Sequence, residues 1–139
     1  MIYLDTSVLV SLLADDAHTS RARAWLSSLR TTLIVSDLAN LEVSAVLSRD
    51  LRTGRFTKSE VESALLDFDA FRAGCERLNH TVDDFVLAER IIRGVENKLA
   101  AADALHLASA TNAGAELATF DMRLAEAAKG AGVELSISP

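Results

Sequence analysis

The chain has 139 residues and a net charge of −6, with 20 acidic and 14 basic side chains. Half of its residues are apolar, and it contains only six glycines and one proline, which excludes disordered and low-complexity proteins. The acidic balance argues against a protein that holds nucleic acid by bulk positive charge. The length predicts a single domain over residues 1–139.

The sequence carries no signal for secretion or membrane insertion. Cys75 is the only cysteine, so no internal disulfide can form and the composition suits a reducing cytosol. The apolar start Met1–Leu4 has no basic region before it and ends at Asp5, unlike a secretion signal. No apolar run approaches the roughly 18 residues that a membrane span needs. We therefore expect a cytoplasmic protein without membrane contacts.

Short apolar runs alternate with helical apolar stripes along the whole chain. The runs predict five strands, namely Ile2–Leu4, Leu33–Val35, Cys75–Leu78, Leu117–Phe120 and Val133–Ile137. The stripes predict seven helices, namely Val8–Leu13, Ala22–Leu29, Leu38–Val46, Thr57–Phe68, Val82–Val95, Ala102–Ala113 and Met122–Ala128. Gly114 and Gly130 predict the ends of the last two helices. The alternation predicts an α/β fold in which helices cover both faces of a central parallel sheet.

Four acidic residues lie where such a sheet would bring them together. Asp5 and Asp121 each follow a predicted strand directly, and functional groups collect at the carboxyl ends of parallel strands. Thr119 precedes Asp121 by two residues, so in an extended strand its side chain points in the same direction as that of Asp121. Asp103 lies among alanines in the first turn of a helix, and Glu42 interrupts an apolar helix start. An unpaired charge is costly to bury in either place.

Clustered carboxylates of this kind predict a site for a hard divalent cation. The acids repel one another and raise each other's pKa unless a cation lies between them. Mg²⁺ and Mn²⁺ take oxygen ligands and are usually held by one or two carboxylates together with water and substrate phosphate. The predicted catalytic and metal-binding residues are therefore Asp5, Glu42, Asp103 and Asp121.

Hydroxyl side chains beside these acids are expected to support them. Thr6, Ser7 and Thr119 can hydrogen-bond to the carboxylates or to water on the ion, and Ser7 is the better placed of the first two. His106 lies one turn after Asp103, near the same face of its helix. We expect it to pack or hydrogen-bond beneath the site rather than to act as a ligand or general base.

Four parts of the sequence, taken together and in chain order, resemble a known family. They are Asp5-Thr6-Ser7, Glu42, the run Ala-Ala-Asp-Ala-Leu-His-Leu-Ala around Asp103, and Thr119-Phe120-Asp121. The family that they resemble is the PIN domain. The short length and that run are most similar to VapC toxins of bacterial and archaeal toxin–antitoxin pairs. The resemblance implies a three-layer PIN fold and a Mg²⁺- or Mn²⁺-dependent endoribonuclease. It implies that Asp5 and Asp103 are the first metal ligands, and that Glu42 and Asp121 complete the pocket directly or through water. It also implies an RNA substrate, a VapB-like antitoxin and a homodimer.

Basic residues recur every three positions across one helix end and the following turn. They form a basic strip consisting of Arg49, Arg52, Arg55 and Lys58. These side chains are candidate RNA contacts, because an acidic pocket needs cations at its rim to hold a phosphate chain. A solvated helix face explains them equally well.

Other interpretations of the acids stay open. Asp5 and Asp121 could merely cap helices, and Asp103 could favour a helix dipole. A metal-dependent phosphohydrolase could use Asp5 as a nucleophile, although such enzymes commonly carry a second Asp two residues later, where this chain has Ser7. A third alternative is a non-catalytic PIN module that binds RNA or protein.

Overall fold

The computed structural model describes residues 1–94 and 98–139, which form a five-stranded sheet with helices on both faces. The strands are β1 (Ile2–Leu4), β2 (Leu33–Ser36), β3 (Glu76–Leu78), β4 (Glu116–Ala118) and β5 (Leu135–Ile137). The helices are α1 (Thr6–Leu13), α2 (Thr19–Ser28), α3 (Asp37–Arg52), α4 (Lys58–Arg72), α5 (Val82–Arg93), α6 (Ala101–Asn112) and α7 (Met122–Gly130). None of these helices is long and apolar enough to cross a bilayer.

All strand pairs are parallel, in the order β3-β2-β1-β4-β5, which confirms the predicted sheet. The central strands are apolar because parallel sheets are covered on both faces. Tyr3 and Leu4 of β1 are completely buried. The edge strand β3 differs from the expected apolar strand, since Glu76 and Arg77 are exposed. Charges on an edge discourage pairing with another chain.

Successive residues of β1 point to opposite layers of helices. Leu4 packs with Val43 of α3 and Phe68 of α4, in a cluster on one face of the sheet. Tyr3 packs with Leu107 of α6, in a cluster on the other face. Full burial of such a side chain contributes about 1.5–3 kcal/mol, so both layers hold the strand in place.

The ends of the helices follow local signals in the sequence. The Ser36 hydroxyl accepts the N–H of Ala39 over 3.1 Å, as the predicted cap of α3, and Thr57 begins α4 with a capping box. Gly114, at φ +60°, ends α6 as expected. Helix α7 continues through Gly130, however, and the left-handed residue after it is Gly132, at φ +76°.

The predicted ends of β4 and β5 are wrong by two residues. Strand β4 stops at Ala118, so Thr119 and Phe120 lie beyond it rather than inside it. Strand β5 begins at Leu135, because the N–H of Val133 still donates to the carbonyl of Ala128 at the end of α7. Val133 is apolar but lies in the turn that ends α7, so its side chain alone wrongly predicts the start of β5.

Smaller differences concern β3 and α5. The N–H of Cys75 donates to the carbonyl of Arg72 in the turn after α4, so β3 starts one residue later than predicted. Helix α5 ends at Arg93, with Gly94 as its C-cap. Val95, the predicted last residue of this helix, lies outside the described residues.

Candidate active site

Asp5 lies at the carboxyl end of β1 and is held in one orientation by its neighbours. Its side chain is buried, and its Oδ2 accepts hydrogen bonds from the Ser7 hydroxyl, the Ser7 N–H (3.3 Å) and the Thr119 hydroxyl (2.8 Å). The bond from the Ser7 N–H makes Asp5 the N-cap of α1. All three bonds end on Oδ2, so capping leaves Oδ1 available, with His106 Nε2 3.6 Å away.

Glu42 lies in the second turn of α3 and is held in a similar way. Its Oε2 accepts hydrogen bonds from the Thr6 hydroxyl and from His106 Nε2, each over 2.7 Å. Burial raises the pKa of Glu42, but the bonds from His106 and Thr6 outweigh burial and hold the pKa below its ordinary value. Glu42 is therefore ionised at neutral pH. No hydrogen bond from the described residues reaches its Oε1.

Asp121 is joined to Asp5 through a buried hydroxyl. The N–H of Asp121 donates to Thr119 Oγ1 over 2.9 Å, and the same hydroxyl donates to Asp5. Although Thr119 lies beyond β4, its side chain is completely buried and bridges the ends of β1 and β4. Asp121 also caps α7, since its Oδ1 accepts the N–H of Leu124 over 2.8 Å.

Asp103 lies half-buried in the first turn of α6, one turn before His106. Burial raises the pKa of Asp103 above its ordinary value, and the negative charges of Asp121 and Asp5 raise it further. No ion pair formed by the described residues involves Asp103. Burial is the larger cause of this shift, and the two neighbouring carboxylates add to it.

The four predicted acids thus lie around one edge of the sheet, with oxygen atoms to offer an ion. Among residues 1–94 and 98–139, no three His, Cys, Asp or Glu side chains lie close enough to form a complete metal cage. Mg²⁺ does not require such a cage, because it is usually bound through one or two carboxylates and keeps several waters. Oδ1 of Asp5 and Oε1 of Glu42 are hard oxygen donors, the ligand type that suits Mg²⁺ and Mn²⁺.

Comparison of the sequence with models of protein families identifies its family. The PIN domain family model matches residues 2–130 of the sequence. The chain belongs to the PIN domain family. A direct comparison with curated protein sequences gives no match.

Solved structures share the fold of this PIN domain at low sequence identity. FitAcB from Neisseria gonorrhoeae has a TM-score of 0.79 and 20% identity, over 100% of this chain and 97% of the other. VapC20 from Mycobacterium tuberculosis, a Sarcin-Ricin loop cleaving toxin, has a TM-score of 0.72 and 22% identity, over 91% and 95%. VapBC2 from Rickettsia felis, bound to a promoter DNA fragment, has a TM-score of 0.69 and 18% identity, over 99% and 98%. The fold is therefore VapC-like.

Tyr3 is not among the site residues that the sequence predicts, yet it lies beneath the acids of this PIN domain. Its hydroxyl is 2.7 Å from Ser36 Oγ and 2.8 Å from His106 Nδ1. Burial raises the pKa of Tyr3 well above its ordinary value, so the hydroxyl stays neutral. His106 is completely buried and hydrogen-bonded, as expected for it. A tyrosine in a buried strand needs a partner for its hydroxyl, but nothing in the sequence names that partner.

The basic strip lies at some distance from the acids. Arg49 and Arg55 flank the buried carboxylate of Asp50, at 3.8 and 3.7 Å. Phe56, in the same turn, lies beside Leu13 at the end of α1, whereas Asp5 caps the start of that helix. Eight residues of helix span about 12 Å. The other two members interact with neighbours on their own helices, Arg52 with Ser48 and Lys58 with Glu62.

A different cation lies beside Phe120, the residue that precedes Asp121. The ring of His18 stacks on Phe120 with 4.4 Å between ring centroids, and the guanidinium of Arg21 lies 5.9 Å from the centroid of the same Phe120 ring. Phe120 directly precedes Asp121, and its N–H donates to Ser7 Oγ over 2.8 Å. Arg21 is therefore a second candidate for a phosphate contact beside the acidic edge.

Proposed function

We propose that this PIN domain is a Mg²⁺- or Mn²⁺-dependent endoribonuclease and the toxin of a VapBC-like pair. The proposal depends chiefly on the pattern at Asp5 and Glu42, where the protein engages one carboxylate oxygen and leaves the other available. The raised pKa of Asp103 beside these acids supports a cation site. The VapC-like fold supports an RNA substrate, since VapC20 is a Sarcin-Ricin loop cleaving toxin.

Each acid has a proposed role that its contacts can serve. Asp5 and Asp103 are the proposed first ligands, and Glu42 and Asp121 complete the pocket directly or through water. When bound, the ion supplies an acidified water as nucleophile and neutralises charge that develops on the phosphate. The hydroxyls that hold Asp5 and Glu42 fix the direction of their available oxygens before RNA arrives.

Cleavage of RNA by the purified protein tests the proposal. We expect cleavage with Mn²⁺ and none with EDTA. Asp5→Asn and Asp103→Asn should each reduce the rate by about 100-fold or more, because even residues that only orient metal ligands contribute 10- to 100-fold. Asp67→Asn, on an exposed part of α4, is the matched control and should cleave normally. Equal rates in wild type and the Asp5 variant would indicate a contaminating nuclease and favour a non-catalytic PIN module.

An apolar groove that borders the acidic edge is the proposed binding surface for the antitoxin. Its walls come from α3, α5 and α6 and include Leu38, Phe85, Ile92 and Leu105. Phe85 is 58% exposed although His80 lies edge-on to its ring, so most of this large apolar side chain faces the groove opening. Ala102 lines the same groove and precedes Asp103. A partner helix in this groove could therefore direct a basic side chain toward the acids.

The neighbouring gene provides the probe for this surface. We expect a short reading frame whose product has a DNA-binding start and a basic, amphipathic end. Its product should co-purify with the wild-type chain and with Leu66→Asp, because Leu66 is exposed on α4, a helix that does not line the groove. Phe85→Asp should abolish co-purification. Retention of the partner by Phe85→Asp would place the antitoxin elsewhere.

The homodimer, the cytoplasmic location and the single-domain organisation remain predictions. Light scattering of the purified chain tests the first of them. A mass near 14.9 kDa, that of one chain, would contradict the dimer.

A further inference from the structure

A buried chain of hydrogen bonds runs beneath the proposed metal site. It joins Ser36 Oγ to the Tyr3 hydroxyl (2.7 Å), that hydroxyl to His106 Nδ1 (2.8 Å), and His106 Nε2 to Glu42 Oε2 (2.7 Å). Ser36, Tyr3 and His106 are all completely buried. These hydrogen bonds connect the end of β2, the middle of β1, the second turn of α6 and the second turn of α3.

The chemistry of the groups fixes the direction of the last bond. The Glu42 carboxylate can only accept a hydrogen bond, so His106 Nε2 carries a proton and donates it. At the other nitrogen, either Tyr3 donates to Nδ1 and accepts from Ser36, or Nδ1 donates to Tyr3, which then donates to Ser36. Both arrangements satisfy every group in the chain. In both, the Nε2–H remains directed at Glu42 and is not free to become a metal ligand.

We infer that Tyr3 and His106 are positioning residues for Glu42, and this inference rests on the proposed function. His106 and Thr6 both donate to Oε2, and this shared choice leaves Oε1 of Glu42 for the ion or its water. The His106 Nε2 atom also lies 3.6 Å from Oδ1 of Asp5, beyond hydrogen-bond distance, so the same imidazole lies against two acids but holds only Glu42 by a hydrogen bond. Tyr3 acts one step earlier, because its hydroxyl keeps the ring from rotating within its buried site.

The amides of glutamine and asparagine separate the two contacts of His106. The Gln amide reaches the position of Nε2 and can still donate to Glu42. The Asn amide reaches only the position of Nδ1, so it keeps the contact with Tyr3 and loses Glu42. We expect His106→Asn to weaken Mn²⁺ binding by about 10- to 100-fold in calorimetric titration, and His106→Gln to recover most of the affinity. Tyr3→Phe should weaken binding less than His106→Asn.

A matched control and a spectroscopic measurement separate positioning from general stability. Ser11→Ala removes a buried hydrogen bond to Asp16, away from the acids, and should lower stability without changing Mn²⁺ affinity. In the metal-free protein, long-range ¹H–¹⁵N spectra of His106 should show a protonated Nε2. Tyr3→Phe should alter the Nδ1 signal while Nε2 stays protonated. This measurement does not depend on activity or on the folding of a His106 variant.

The outcomes distinguish the inference from the proposed function. If His106→Asn binds Mn²⁺ as tightly as wild type, or if Nε2 is unprotonated, the inference is wrong, while RNA cleavage that requires Asp5 leaves the proposed function intact. If the wild-type chain neither binds Mn²⁺ nor cleaves RNA, the proposed function fails and the inference fails with it.

Discussion

Replacing Thr119 by valine tests the hydroxyl that joins the ends of β1 and β4. That hydroxyl donates to Asp5 over 2.8 Å and accepts the N–H of Asp121 over 2.9 Å, in a completely buried position. A lost bond to a charged acceptor costs about 1.5–3 kcal/mol, and an unpaired buried N–H costs about 1–3 kcal/mol more. Because Ser7 still donates to Asp5, we expect the lower part of this range. The free energy of unfolding in urea should fall by about 2.5–4 kcal/mol.

The same variant should bind Mn²⁺ about 10- to 100-fold more weakly, because the direction of the Asp5 carboxylate is no longer fixed. Thr119→Ser keeps the hydroxyl and should recover the affinity. Thr111→Val makes the same chemical change on the exposed part of α6 and should stay within about 0.5 kcal/mol of wild type. If Thr119→Val matches wild type in both urea stability and Mn²⁺ affinity, the hydroxyl does not bridge the two strands.

Three further predictions concern the acids and the cations near them. The raised pKa of Asp103 makes its protonated form favour folding below the unfolded pKa, and this contribution is lost as pH rises through the folded pKa. At pH 7, where the ionised Asp103 is unfavourable, Asp103→Asn should therefore be more stable than wild type in urea with EDTA. Below about pH 4, the ordinary pKa of Asp, the variant should show no gain in stability. Asp121→Asn should keep the helix cap and stability but lose cleavage, whereas Asp121→Ala should also lose about 1 kcal/mol; equal stability of the two would exclude the cap. RNA binding can be measured by fluorescence anisotropy in a variant that does not cleave RNA. There, Arg21→Ala should reduce the slope of log binding constant against log salt concentration by about one, whereas Lys129→Ala, at the far end of α7, should leave the slope unchanged. The same assay on Arg52→Ala tests the basic strip, which an unchanged slope would exclude as an RNA contact.

The fold could be predicted because its signals are local. Strands buried on both faces become short apolar runs, and helices begin at residues such as Ser36 and Thr57 whose side chains cap them. The end of β4 could not be predicted in this way. Phe120 is apolar because it packs against the ring of His18, a contact across the chain, and not because it belongs to a strand.

The identities of the candidate acids could also be predicted, because each lies beside a strand end or within an apolar helix start. The contacts that organise them could not. Tyr3 and His106 are 103 positions apart in sequence, and Thr119 and Asp5 are 114 apart. Only the strand order, which places β4 and β2 on either side of β1, brings these side chains together.

Helix capping and metal binding are alternative explanations for the acids, but one carboxylate can serve both. Asp5, Asp121 and Glu42 each accept the protein's hydrogen bonds on one oxygen and leave the other oxygen for an ion. Asp5 caps α1 through Oδ2 and leaves Oδ1, and Asp121 caps α7 through Oδ1 and receives no hydrogen bond from the described residues at Oδ2. Glu42 caps nothing, yet it follows the same rule, with two donors on Oε2. A carboxylate held rigidly through one oxygen gives an ion a fixed second oxygen at little further cost in side-chain entropy. The caps at these strand ends therefore prepare the proposed site instead of replacing it.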